Sequence, residues 1–489
     1  MIKIKSNFTF IIIFIVIPTQ ILFSSNSINK KIIPIIFDDI LILVPQKKNT
    51  YYVSIIGEDT NNGKTEDSAW RTISYAANKA KAGDTIYIKA GEYTNEHIIV
   101  KNSGTSSNPI IFEGYKNTPH DNPSVNWHYT SNSLTLGLDS TEMPLINGEN
   151  RNRGRAIFIR DKTNIIFRNM QITNYKEGIL IYGKNARGNQ IDNIIGENFG
   201  KLTSKYAGIG ILITEGAQYN TIKNSILLNA AAQAFTINSN NNIITHCKAY
   251  GNDNQTGKKS ATDYYFIISG NNNKVLNSYA ERKTGLAHRG HGFSIKRYGE
   301  HNLIKNCSTK NISGSFVFRH SKVKNNTFED ITAIGTGELN TFGLTFRDGT
   351  SNNIVKRYHA QGIKHAVTFR ETSEDGANTY SGFNNTISDS TFEDIIGSFV
   401  IYYAPNHSSG KGTSFNNLFK NITFDGSNTA ASLFHSYNKS QGNSFENCTF
   451  YDIEKYSSGI QEKAIFINSK TRNIGFTVTS SKLHEKGDK

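Results

Sequence analysis

One short pattern, Asn-x-(Ile, Val or Phe)-x, begins at Asn164 and returns at Asn189, Asn220, Asn242, Asn273, Asn302, Asn326, Asn353, Asn385, Asn417 and Asn443. The intervals are unequal, as expected of a coil with fixed strands and loops of variable length. Within each unit the apolar residues alternate with period two, as in "GILIY", "GFSIK", "SFVFR" and "FGLTFR", and Asn, Gly and Ser fill the gaps. Helical periodicity is essentially absent after residue 90. Short strands in every unit without intervening helices require parallel strands stacked coil on coil. The pattern therefore predicts an all-β fold, a single-stranded right-handed parallel β-helix, with an N-terminal capping helix.

A solenoid leaves an apolar end that would recruit another strand edge, so it needs a cap. In "SAWRTISYAANKAKAGDTIYIKAGEY", Ile73, Ala76, Ala77 and Ala80 fall on one face of a short helix that Gly83 ends. The expected organisation is a signal peptide over 1–25, a linker over 26–49, the cap and first coils over 50–115, a long loop over 116–152, the β-helix over 153–480 and a tail over 481–489. The signal peptide is read from the lysine-bearing, apolar start "MIKIKSNFTFIIIFIVIPTQILFSSNS". No later run reaches the roughly 18 apolar residues of a membrane span. A secreted or periplasmic monomer is expected. The loop carries Trp127, a candidate for stacking on a sugar ring.

Three cysteines cannot close a disulfide framework in an exported chain. Cys247, Cys307 and Cys448 occupy the same place in "NIITHC", "NLIKNC" and "NSFENC", which predicts stacked, inward-facing small residues. The net charge of +14 points to a polyanionic partner. An anionic polysaccharide or oligosaccharide, rather than nucleic acid, suits an exported protein.

Aligning the units as small, apolar, x, apolar, z gives an outer column whose z members include Lys296, Arg319, Arg347, Arg370 and Tyr402. Four like charges on adjacent rungs repel, and only bound anions or paired carboxylates relieve this. Asp348 and Glu371 follow two of the arginines directly and account for part of it. Glycoside hydrolysis needs two carboxylates facing one bond, and the column holds no acid. β-Elimination from a uronic acid needs a base for the C-5 proton, a positive charge on the adjacent carboxylate and a donor to the leaving oxygen at C-4. Lysine beside arginines suits that set, because arginine stays protonated while like-charged neighbours, here Arg297, Arg319 and Arg347, lower a lysine's pKa. His288 and His291, in "GLAHRGHGF", and Tyr298 are further substrate-binding candidates.

The stretch from "YYVSIIGEDTNNGKTEDSAWRTI" to "VKNSGTSSNPIIFEGY" resembles the N-terminal module of secreted right-handed β-helix proteins of the pectate lyase superfamily. "FSIKRYGEHNLIKNCSTKNISGSFVFRHSKVKNNTFED" resembles the catalytic stretch of the alginate lyase and chondroitinase B family. The resemblance implies Lys296 as base and Arg319 as acid or charge stabiliser. It departs where that family's lysine is followed by small residues and this one by Arg297 and Tyr298. It also implies calcium, for which Glu215 and Glu281 are the candidate ligands, whereas Arg347 or Arg370 could take over the ion's role in neutralising the carboxylate. The leading expectation is a lyase acting on a uronate polysaccharide of the alginate, ulvan or glycosaminoglycan type. The alternatives are a uronate dehydratase releasing water from C-4 of a terminal uronate, a C-5 epimerase, and a non-catalytic polyanion-binding β-helix.

Overall fold

The computed structural model describes residues 48–475 apart from short segments at 126–127, 131–132, 152, 201–207, 252–261, 284–289, 338–340, 373–379, 404–413, 437–440 and 460–462. The expected signal peptide, Trp127 and His288 lie outside the described residues.

Period-two alternation has produced strands that pair in parallel with the equivalent strand one coil away. Among the described residues, a sheet of 13 strands and a sheet of 24 strands face each other across a continuous apolar core. Among the described residues one pair is antiparallel, His128–Thr130 with Ser133–Thr135, inside the long loop. The architecture is the parallel β-helix that the repeat predicts. Beneath the site described below, the inward residues form two aromatic stacks. Phe235, Phe266, Phe293 and Phe316 are spaced 4.9, 4.6 and 5.4 Å between ring centroids. Phe318, Phe346, Phe369 and Tyr402 follow at 5.3, 5.1 and 5.4 Å. Interlocked rings of this kind leave little room for one rung to shift against the next.

The repeating asparagines form a buried ladder. The side-chain amide of Asn302 donates to Asn326 Oδ1 at 2.9 Å, and that of Asn326 to Asn353 Oδ1 at 3.0 Å. The same bond links Asn353 to Asn385, Asn385 to Asn417 and Asn417 to Asn443. The steps span 22 to 32 residues, so loops absorb the length differences while the ladder keeps register. Asn326 also donates to the carbonyl of Gly299, fixing the turn that follows Lys296. Asn326→Ala would strand several buried donors and acceptors, and a loss of about 2–4 kcal/mol in urea unfolding is expected.

At the N-terminal end the helix Ile73–Lys79 buries Ile73, Ala76 and Ala77 over the core. Thr72 caps it by accepting from Tyr75 N, and the Glu96 carboxylate accepts from Ile73 N and Ser74 N. Cys247, Cys307 and Cys448 are free and buried, and desolvation raises each thiol to about 12. The loop is fixed by Val125, Leu136 and Met143, which pack on Ile195, Ile226, Leu228 and Tyr250 of the larger sheet. Those contacts lie on a different sheet from the basic column. Within this stretch, Leu145–Asn147 joins the coil stack by pairing with Glu92–Thr94.

Candidate active site

The outer face of the smaller sheet carries the column. The strands His291–Lys296, Gly314–Arg319, Phe342–Arg347 and His365–Arg370 are adjacent, and their last residues lie in register, Lys296 opposite Arg319, Arg319 opposite Arg347 and Arg347 opposite Arg370. Rungs of about 4.8 Å set the spacing of the four cations along the sheet. The next member differs from the sequence alignment. Tyr403, not Tyr402, lies opposite Arg370. Tyr402 pairs with Phe369, is 3% exposed and stacks on that ring inside the core, so it is no substrate contact. The run "FVIYY" is apolar throughout and carries no alternation to fix its parity.

Lys296 does not sit alone. Its Nζ donates to the Tyr264 hydroxyl at 2.7 Å and lies 4.2 Å from the centre of that ring. Arg319 Nη1 donates to the same hydroxyl at 2.9 Å. Tyr264 opens the preceding strand, Tyr264–Ile268, and leans along the sheet to reach both strand ends. Because its oxygen accepts from two cations, its own O–H is free to point away from them. Desolvation raises the Tyr264 hydroxyl to about 12, so it is protonated at neutral pH. Burial, and then the charge of Arg319, bring Lys296 down to about 7, with Arg297 and Arg347 adding to the fall and Asp263 opposing it. A lysine so placed is neutral in about half the molecules near neutrality.

Arg319 and Arg347 share one buried counter-ion. Asp348, fully buried, lies 2.9 Å from Arg347 Nε and 4.0 Å from Arg319 Nε. Its other oxygen accepts from Thr372 N at 2.7 Å. Arg347 also donates to Thr372 Oγ1 at 2.6 Å. One carboxylate thus faces both guanidinium groups, and its hydrogen bond holds Arg347 in place. Burial lowers the pKa of Arg347, as do Arg319 and Arg370, against the pull of Asp348.

Downstream of Lys296 the face hollows into a cavity of about 300 Å³. Arg347, Arg370 and Lys364 give it positive charge, Val317 and Ile401 an apolar floor, and His291 and His365 a second edge. Burial above all drops His291 to about 3 and His365 to about 4. Both are neutral hydrogen-bonding groups at physiological pH, far too acidic to compete with Lys296 as a base. His291 Nδ1 is buried without a hydrogen-bond partner among the described residues. Such an orphaned group lining a cavity suits a ligand hydroxyl.

The other sequence candidates fall elsewhere. Arg297 and Tyr298 are exposed in the turn after Lys296. Glu215 is exposed in the turn after Ile209–Thr214. Glu281 belongs to the larger sheet, where it accepts from Tyr279 at 2.6 Å and pairs with Lys310 at 3.4 Å. The two glutamates are not brought together, and among the described residues no group of three His, Cys, Asp or Glu could hold a metal ion. Among the described residues, Glu215 and Glu281 do not form the calcium site that the resemblance implies. Tyr264, Lys364 and His365 were not singled out from the sequence. They sit at or just before strand starts, and a second column drawn there, through Tyr264, His291 and His365, would have found the tyrosine and the histidine.

No family model matches the chain. It is 46% identical over 66 residues to the uncharacterized protein YwoF of Bacillus subtilis, a match covering 14% of each protein. It is 29% identical over 148 residues to the pectate lyase PEL9 of Emericella nidulans, covering 30% of this chain and 33% of that one. The matched segments thus span a third or less of either relative. Among solved structures, the lacto-N-biosidase of Eubacterium ramulus aligns with a TM-score of 0.48 at 13% identity, covering 76% of this chain and 68% of that one. A mannuronic acid-specific family 6 polysaccharide lyase from human gut microbiota aligns with a TM-score of 0.46 at 12% identity, covering 86% of both. In its coil architecture and in the segment shared with the pectate lyase, the chain resembles the parallel β-helix polysaccharide lyases.

Proposed function

We propose that the protein is an exported polysaccharide lyase that cleaves a uronic-acid-containing anionic polysaccharide by β-elimination. The observation that carries the reading is the contact set Lys296–Tyr264–Arg319. A lysine brought down to about 7 shares one hydroxyl with an arginine, on a face with further arginines. The uronate carboxylate lies against the Arg319 and Arg347 guanidinium groups, which withdraw charge from C-5 and hold the enolate formed there. The neutral Lys296 amine takes the C-5 proton. The electron pair left at C-5 forms the C-4 to C-5 double bond as the bond from C-4 to the glycosidic oxygen breaks. Tyr264 supplies the proton to that oxygen, since arginine stays charged and is a poor donor of its proton. The 2.7 Å hydrogen bond then returns the proton from the Lys296 ammonium to the Tyr264 phenolate, leaving both groups as they began. The net change is one proton moved from C-5 to the leaving oxygen.

The test is a panel of alginate, polygalacturonate, ulvan and glycosaminoglycans, and their oligosaccharides, followed by the ultraviolet absorbance of the new double bond and by product size. Shortened unsaturated products support the reading. Loss of water without shortening identifies a dehydratase, inversion at C-5 without absorbance an epimerase, and binding without either change a polyanion-binding solenoid.

The guanidinium groups also predict independence of calcium. With Arg319 and Arg347 supplying the positive charge, turnover is expected to survive dialysis against EDTA and to gain nothing from added calcium. A loss that calcium restores would assign the carboxylate to an ion instead.

A further inference from the structure

A second hollow, of about 460 Å³, lies beside the catalytic pair and is lined by Arg297, Tyr298, His320, Ser321 and Lys322. Its residues belong to the two turns that directly follow Lys296 and Arg319 on neighbouring coils. The turns are tied together: Arg297 N donates to His320 Nδ1 at 3.1 Å. Gly299 closes the first turn, where an added Cβ would run into the Ile295 side chain. Within this fixed frame Tyr298 is 60% exposed, an unusual cost for an aromatic residue in a chain whose other large rings are mostly buried. The Lys322 ammonium stands 4.7 Å from the centre of the Tyr298 ring on one face. An exposed ring with one cation over its face, in a hollow that Arg297 also lines, presents an apolar platform and positive charge at the same place. That combination fits the flat face of a pyranose ring bearing a carboxylate or sulfate.

We propose that this hollow is a distal subsite for an anionic sugar unit of the same polysaccharide, away from the bond being broken. The inference rests on the polyuronate reading of the catalytic face and adds to it a preference for longer chains. Tyr298 contributes the stacking surface, and Arg297 and Lys322 the charge. None of the three takes part in proton transfer, so the subsite acts on binding and not on the chemical step. An anionic unit seated there would extend the ligand past the turn side of the strands, whereas the first cavity extends it across neighbouring coils.

The test uses the full chain carrying Lys296→Ala, so that bound polymer is not consumed, run by affinity electrophoresis through gels containing alginate, polygalacturonate or chondroitin sulfate. The expected result is retardation of this parent by at least one polymer, with the dissociation constant rising about three- to tenfold when Tyr298→Ala or Lys322→Ala is added. Circular dichroism melting checks that these exposed substitutions leave the fold intact. Retardation equal in parent and variants overturns the subsite while leaving the polyuronate reading in place. No retardation of any of the proteins overturns both. In the otherwise wild-type enzyme, the same substitutions should raise KM on the polymer about three- to tenfold while leaving kcat, and KM on the shortest cleaved oligosaccharide, unchanged. An equal effect on long and short substrates would contradict a distal site.

Discussion

The rate of elimination, measured as kcat/KM, is expected to rise with pH through about 7 and then level off, and Lys296→Arg is expected to abolish that rise together with about 10³-fold of the activity. The sign follows from the direction of the shift. Folding lowers Lys296 from its ordinary value near 10.5 to about 7, so the amine carries a proton and is no base below that pH, and has its lone pair available above it. Arginine keeps the positive charge and much of the reach but stays protonated at any working pH. It therefore separates a lysine that works by charge from one that works by accepting a proton. Stability gives an independent readout of the same shift. Between pH 7 and roughly 10.4 the unfolded chain holds a proton on this lysine that the folded chain has released, so its contribution to stability rises with pH across that window. Replacement by methionine should raise the melting temperature more at pH 6 than at pH 9, while removing activity at both. A variant equally active with arginine, or a flat pH profile from 5 to 9, would remove Lys296 from the chemistry.

Tyr264→Phe is expected to lower kcat by about 10²–10³-fold with little change in KM, because the ring stays and only the proton donor is lost. The hydroxyl joins Lys296 and Arg319 at 2.7 and 2.9 Å, so its removal breaks the return path for the proton as well as the delivery. Substrates with a better leaving group at C-4 need less protonation of the departing oxygen. With such a substrate the phenylalanine variant should recover most of its rate. A merely structural hydroxyl would lower activity on good and poor leaving groups alike. The ascending limb near pH 7 should persist in the variant, since that limb belongs to Lys296.

The fold was legible in the sequence because two independent signals agreed at each coil. The asparagines mark where the buried ladder turns, and the alternating apolar residues state which face enters the core. Lys296, Arg319, Arg347 and Arg370 could be placed on one face for the same reason: each ends a strand with clear alternation, as in "SFVFR" and "FGLTFR". Tyr402 was assigned to the wrong face where that signal failed, in the run "FVIYY", which has no apolar–polar alternation. Tyr264 was invisible to strand-end alignment because its contact with Lys296 is made by lean and not by register. It stands opposite His291, five residues before Lys296, and the gap of about 16 Å along the strand is closed from both sides, by its ring and by the long Lys296 and Arg319 side chains. Asp348 could be read as a local partner of Arg347, but its reach toward Arg319 on the adjacent rung depends on burial that only the folded coil supplies.

The most direct test of the account compares wild type and Lys296→Ala, at equal concentration and with matched circular dichroism, on the polyuronate that the wild type cleaves, by the absorbance of the C-4 to C-5 double bond. The account predicts a steady rise for the wild type and a rate at least about 10³-fold lower for the variant. Equal rates in the two proteins, or no absorbance from the wild type with any uronate polymer, would contradict it.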